Sequence, residues 1–204
     1  MKKTKKFIYL ISPRKIKNKK FYNDLISIFK SKKISFFQLR LKKENSKKII
    51  NIGKKIKGIC KKFNVKLIIN DNPFLAKKIN ADGCHIGQSD STIFESRKIL
   101  RNKIIGVTCH NSKKLIKKAV NDKANYIALG AFYSTKTKKV KYRAKIKLVK
   151  EAKKITKIPI VAIGGINLSN YKKLLLIKAN FLAISSYIWN NKKYKPLEAI
   201  KKLK

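Results

Sequence analysis

Residues 67–90 read LIINDNPFLAKKINADGCHIGQSD. An apolar run ends in Asn70-Asp71, a short amphipathic stretch opens on Pro73, and a second apolar run leads to Gly87-Gln88-Ser89-Asp90. Two apolar runs joined by a helix-length segment form the pattern of a βαβ unit, whose parallel strands are covered on their outer side. Asp71 and Asp90 each fall just past the end of a strand, in a chain with only nine carboxylates. Carboxylates at neighbouring strand ends suit a hard cation such as Mg²⁺. The competing role for each is helix capping, because Asp71-Asn72 precedes Pro73 and a cap followed by Pro starts many helices.

The same alternation extends in both directions. Short runs rich in Ile, Val and aromatics predict strands at 7–12, 36–41, 66–70, 83–87, 104–109, 126–130, 159–164 and 181–186. Helices are predicted at 21–31, 46–63, 73–79, 91–100, 112–120, 144–155, 169–177 and 196–203. The clearest is 46–63, where Ile49, Ile52, Ile56, Ile59, Cys60 and Phe63 make one stripe and lysines the other. Eight strands alternating with eight helices predict a (β/α)8 TIM barrel, an α/β fold, with residues 1–204 as a single domain. An open doubly wound sheet is the competitor, but no GxGxxG follows the first strand. One connection is long and polar: AFYSTKTKKVKYR, residues 131–143, is a candidate lid.

Composition narrows the classes. The apolar fraction of 44% is that of an ordinary globular protein. No run of about 18 apolar residues is present, so no membrane span is expected. The apolar stretch 7–11 is short of the roughly 7–15 residues of a signal-peptide core, and a cytoplasmic protein is expected. The net charge of +45 invites a nucleic-acid reading. However, the cations are 49 lysines against five arginines, spread along the chain. Nucleic-acid surfaces favour Arg for bidentate contacts, so no specific nucleic-acid partner is expected. Cys60, Cys84 and Cys109 fit no disulfide framework and no CxxC zinc spacing; buried free thiols are expected. Cys84 and His85, adjacent on a strand, point to opposite faces and cannot share an ion.

The strand ends carry the polar groups. Gln38, Arg40 and Lys42 alternate with Leu39 and Leu41 and so share one face. A barrel strand has no water face, which leaves those cations in need of an anionic ligand. Gln88 and Asp90 share a face if the extended geometry continues past Gly87. Asp82 is read as a turn residue and His85 as packing. Thr108 offers a hydroxyl at the mouth, and His110 or Asn111 is read as a cap for the next helix. Thr135-x-Thr137-Lys138 groups two hydroxyls with an ammonium, a set for phosphate oxygens. Gly164-Gly165 after the seventh strand, with Ser185 on the eighth, reads as a phosphate site.

Taken in order, these motifs resemble the thiamine phosphate synthase family over nearly the full length: Gln38-x-Arg40-x-Lys42, Asn70-Asp71, Asp82-Gly83-x-His85-x-Gly87-Gln88-x-Asp90, Gly106-Val107-Thr108-Cys109-His110, Thr135-x-Thr137-Lys138 and Ile163-Gly164-Gly165-Ile166. The resemblance implies a barrel enzyme that joins 4-amino-5-hydroxymethyl-2-methylpyrimidine diphosphate to a thiazole phosphate, releasing pyrophosphate. It implies small-molecule substrates, a Mg²⁺ held by Asp71 and Asp90, and catalytic roles for Arg40, Lys42, Thr108 and Lys138. Gln38, Arg40, Lys42 and Asn70 match the pyrimidine diphosphate side, and Lys138 matches a diphosphate contact. Thr135, Thr137, Gly165, Ile184 and Ser185 match the thiazole phosphate side. Thr108 stands where the family usually has Ser, and residues 130–135 lack the two prolines usual in that loop. The related thiazole tautomerases typically lack the two aspartates and carry a functional His after the sixth-strand Gly, where this chain has Ala131. An inactive paralogue of the same barrel family and, in another class, a basic nucleic-acid-binding protein are the remaining alternatives.

Overall fold

The computed structural model describes residues 6–135 and 140–203. Eight parallel strands close into a barrel in sequence order: β1 (Ile8–Ile11), β2 (Ile34–Leu39), β3 (Lys66–Asn70), β4 (Gly83–Ile86), β5 (Ile104–His110), β6 (Tyr126–Leu129), β7 (Ile160–Ile163) and β8 (Phe181–Ile184). The helices of the outer ring are α1 (Lys19–Lys30), α2 (Ser46–Lys62), α3 (Pro73–Ile79), α4 (Ile93–Leu100), α5 (Lys113–Asn121), α6 (Lys147–Ile155), α7 (Tyr171–Leu176), α8 (Ser186–Trp189) and α9 (Pro196–Lys202). Every predicted strand and helix has its counterpart. The extra helix, α8, has four residues, too few for a periodic stripe to announce it.

Strand alternation sorts the core into two shells. Leu39, Leu41, Leu67, Cys84, Ile105, Cys109 and Ile184 pack outward against the helices. Tyr9, Ile11, Ile68, Tyr126, Ala128, Val161 and Ala183 fill the lumen, with Phe36, Ile104, Ile163 and Phe181 against them. The lumen floor is aromatic: Tyr9 stacks on Phe36 at 5.4 Å and Phe36 meets Phe181 edge-on at 5.1 Å. Tyr126 crosses toward both because β5 carries Gly106 opposite it; a Cβ on Gly106 would sit inside the Tyr126 ring. The three cysteines are buried free thiols, pushed up to about 12 by burial, and so are inert at neutral pH.

Caps and turns fix the entry to the site. Asn72, not Asp71, caps α3, its side chain accepting from the Leu75 amide at 2.9 Å. Thr92, not Asp90, caps α4 with a reciprocal Glu95 capping box. Ser112 caps α5, which corrects the reading of His110 or Asn111 as the cap. Asp82 is structural, as read: its Oδ2 accepts from the Leu67 amide at 2.8 Å and pairs with Lys57 at 2.7 Å, tying β3 to α2. Asp82→Ala should therefore lower stability by about 1.5–3 kcal/mol, the range for charged hydrogen bonds. Urea unfolding monitored by circular dichroism measures it.

Candidate active site at the mouth of the barrel

The lumen-facing positions continue beyond the apolar plug as polar residues. Gln38 is buried on β2 and Asn70 pairs in register with His85 across β3 and β4. Thr108 is half-buried on β5, just before a bulge between Thr108 and His110. β2 ends at Leu39, so Arg40 and Lys42 lie beyond the strand rather than on it, as the alternation had placed them. Arg40 is nonetheless half-buried, and burial pushes its guanidinium below the usual range while Asp71 pulls it back up and Arg14 pushes it down. Its backbone amide donates to Ser12 Oγ at 3.0 Å, but among the described residues its guanidinium makes no hydrogen bond or ion pair. A half-buried guanidinium with its donors unused suits an anionic ligand.

The two aspartates meet. Asp71 is in the left-handed region at φ 66, with its amide donating to the His85 carbonyl at 2.7 Å. Its carboxylate pairs with Lys42 Nζ at 2.7 Å. Asp90 does not arrive by continued extension past Gly87. The strand ends at Ile86, and a tight turn folds Asp90 back so that Oδ2 accepts from the Gly87 amide at 2.6 Å. Burial pushes the Asp90 carboxyl up, the Gly87 amide pulls it down, and the adjoining Asp71 carboxylate pushes it up again. Two adjoining carboxylates, neither used as a cap, form an all-oxygen donor pair that fits a hard divalent cation. Among the described residues no third His, Cys, Asp or Glu joins them. That suits Mg²⁺, which keeps water and substrate phosphate oxygens as its other ligands.

Across the mouth lie the β7 and β8 ends. Gly165 has φ +62, and its carbonyl accepts from Asn170 Nδ2 at 3.0 Å. The loop from β6 packs onto it: the Phe132 and Tyr133 amides donate to the Ile163 and Gly164 carbonyls at 3.1 Å, which brings Thr135 to this side. Ser185 Oγ donates to the Ser12 carbonyl at 3.2 Å. Ser12 is thus a buried link between the Arg40 side and the Ser185 side, a role that the sequence reading missed. The Ile184 side chain faces the outer shell, so only its backbone borders the mouth. Thr137 and Lys138 lie outside the described residues, as does the centre of the candidate lid. The described flanks of that loop are tied down: the Ala131 amide donates to the Tyr142 carbonyl at 3.1 Å, and Tyr142 packs on His110 at 4.5 Å.

His85 does more than the packing expected of it. It lies in the lumen, with Nδ1 2.9 Å from Tyr126 Oη and Nε2 2.8 Å from Thr108 Oγ1. The available signal was parity, since His85 shares its strand face with Gly87 and the mouth. Away from the mouth, a cavity of about 590 Å³ between α1 and the α8–α9 segment is lined by Lys15, Lys17, Lys192, Lys193 and Lys195, among others. None of the predicted site residues lines it.

A closed parallel barrel with cations, two carboxylates and glycine turns gathered at the carboxyl ends of its strands has the form of a TIM-barrel enzyme, whose sites lie at that face. The comparisons narrow that class. A family model described as thiamine monophosphate synthase matches residues 8–188. The chain is 70% identical to the thiamine-phosphate synthase of Pelagibacter ubique (strain HTCC1062), covering 98% of this chain and 97% of that one. It is 42% identical to the thiamine-phosphate synthase of Nitrosomonas eutropha, covering 77% and 74%. In fold it matches the thiamine phosphate pyrophosphorylase from Pyrococcus furiosus with a TM-score of 0.86, at 23% identity, over 98% and 94% of the two chains. The chain belongs to the thiamine-phosphate synthase family, enzymes that condense a pyrimidine with a thiazole moiety.

Proposed function

We propose that this enzyme uses the barrel mouth to join 4-amino-5-hydroxymethyl-2-methylpyrimidine diphosphate to a thiazole phosphate, with Asp71 and Asp90 holding Mg²⁺. The observation that carries the reading is the convergence of Arg40, Lys42, Asp71 and Asp90, which come from three separate strand ends. When bound, the cation supplies charge neutralisation for the departing diphosphate.

Arg40 and Lys42 bind the diphosphate oxygens and stabilise charge as the C–O bond breaks, with Lys138 as a third cation. Gln38, Asn70 and Thr108 orient the aminopyrimidine, an electron-rich ring able to stabilise a benzylic-type cation. Thr135, Thr137, Gly165, Ser185 and the Ile184 backbone hold the thiazole through its phosphate, so that its ring nitrogen faces the methylene carbon that loses diphosphate and forms the new C–N bond there. No side-chain nucleophile is needed, in keeping with the absence of a catalytic triad among the described residues.

Incubation with both substrates and detection of thiamine phosphate and pyrophosphate tests the reaction; formation of neither contradicts it. A second expectation concerns the metal without turnover. Mg²⁺ should raise the melting temperature, because it binds the folded carboxylate pair alone. The rise should vanish in Asp90→Asn. An equal rise in that variant would contradict the ligand assignment.

A further inference from the structure

Beneath the mouth runs a chain of side chains of which the site assignments use only Thr108. Tyr9 Oη lies 2.8 Å from Tyr126 Oη, which lies 2.9 Å from His85 Nδ1, and His85 Nε2 lies 2.8 Å from Thr108 Oγ1. Tyr9, Tyr126 and His85 are buried in the lumen, whereas Thr108 is half-buried at its open end. The ring is buried and meets a hydroxyl, not a carboxylate, at each nitrogen, the setting of a neutral imidazole with one N–H and one acceptor nitrogen.

Two proton orders are available. In the first, Thr108 donates to Nε2, Nδ1–H donates to Tyr126, and Tyr126 donates to Tyr9. The last proton, on Tyr9, then has no acceptor, because Tyr126 is the sole hydrogen-bond partner of Tyr9 among the described residues. A buried hydroxyl proton left unpaired carries its full desolvation cost. In the second order, Tyr9 donates to Tyr126, Tyr126 donates to Nδ1, and Nε2–H donates to Thr108. Every buried proton is then used. The one left over is on Thr108, where solvent or a ligand can accept it.

We infer that His85 is a positioning residue, fixed by Tyr9 and Tyr126 as the Nε2–H tautomer, which fills one acceptor site of the Thr108 hydroxyl and leaves its proton to be donated toward the substrate. The ligand atom that uses this proton is an acceptor, such as a ring nitrogen or a phosphate oxygen. The donor half of this inference rests on the proposed placement of substrate at Thr108, whereas the tautomer does not.

Nitrogen-15 NMR of the ligand-free protein near neutral pH reads the tautomer directly. The expected result is an unprotonated Nδ1 and a protonated Nε2; the reverse overturns the inference. Kinetics test the donor role. Thr108→Val should lower kcat about two- to tenfold, the loss of one hydrogen bond, and Thr108→Ser should retain activity. Tyr126→Phe frees the tautomer and should lower kcat by a similar factor alone, but not further in the Thr108→Val background. Multiplying losses would show that Tyr126 does not act through Thr108 and would overturn the positioning role. The expected NMR pattern with unchanged turnover in Thr108→Val would leave the tautomer standing and overturn the placement of substrate at Thr108.

Discussion

Asp71→Asn should leave a folded barrel that turns over at least about 10²-fold more slowly, the scale for losing one preorganised electrostatic group. Stability should change little, for three reasons. Asp71 caps no helix, since Asn72 does so. Its ion pair with Lys42 involves side chains 29% and 50% exposed, and exposed pairs contribute about 0–1 kcal/mol. Asn also tolerates the left-handed φ of 66, whereas Ala would add backbone strain and blur the result. The same substitution removes the like charge beside Asp90, so the Asp90 carboxyl should move back toward the ordinary carboxylate range. Circular dichroism, turnover at saturating Mg²⁺ and carbon NMR of the Asp90 carboxyl check the three parts. Near-normal turnover would remove Asp71 from the metal site.

Arg40→Gln should cost about 10²- to 10³-fold in kcat/KM, with no loss of melting temperature. The combination is diagnostic. A structural arginine is held by hydrogen bonds or ion pairs, and losing it destabilises; this guanidinium makes neither among the described residues, and its desolvation outweighs the attraction of Asp71, which Arg14 opposes. Removing such a charge relieves a cost of folding, so the free protein should be unchanged or slightly more stable. What is lost is the reception of an anion. Arg40→Lys should recover only part of the activity, since an ammonium cannot make the forked contact of a guanidinium. A variant that melts early but retains kcat/KM would mean that Arg40 belongs to the scaffold.

How much of this was legible in the sequence follows from how each feature is encoded. The barrel was, because burial of parallel strands writes short apolar runs at regular intervals and each amphipathic helix writes a stripe. The polar residues at strand ends were, because Gln38 and Thr108 interrupt apolar runs where packing alone gives no reason for them. Parity on β4 separates Cys84 from His85 and sends His85 to the lumen, but it does not encode the network of His85 with Tyr126 and Tyr9. That network joins β1, β4, β5 and β6, and no local pattern records a contact between residues 117 positions apart. Asp90 comes beside Asp71 by a turn anchored on the Gly87 amide, not by continued extension. Ile184 shows the opposite limit, for a position matched by family motif presents only its backbone to the mouth. Ser12 went unnoticed because its importance lies in bridging the ends of β2 and β8, strands distant in sequence that closure of the barrel brings to either side of β1.

The central claim is one of convergence: acidic and cationic groups from separate strand ends meet to hold a metal diphosphate. A crystal structure of the protein with Mg²⁺ and pyrophosphate tests it most directly. The account predicts metal density between the carboxylates of Asp71 and Asp90, with pyrophosphate oxygens against Arg40 and Lys42. Pyrophosphate seated instead among Lys15, Lys192 and Lys193 in the cavity beside α1, with the mouth of the barrel holding only water, would contradict it.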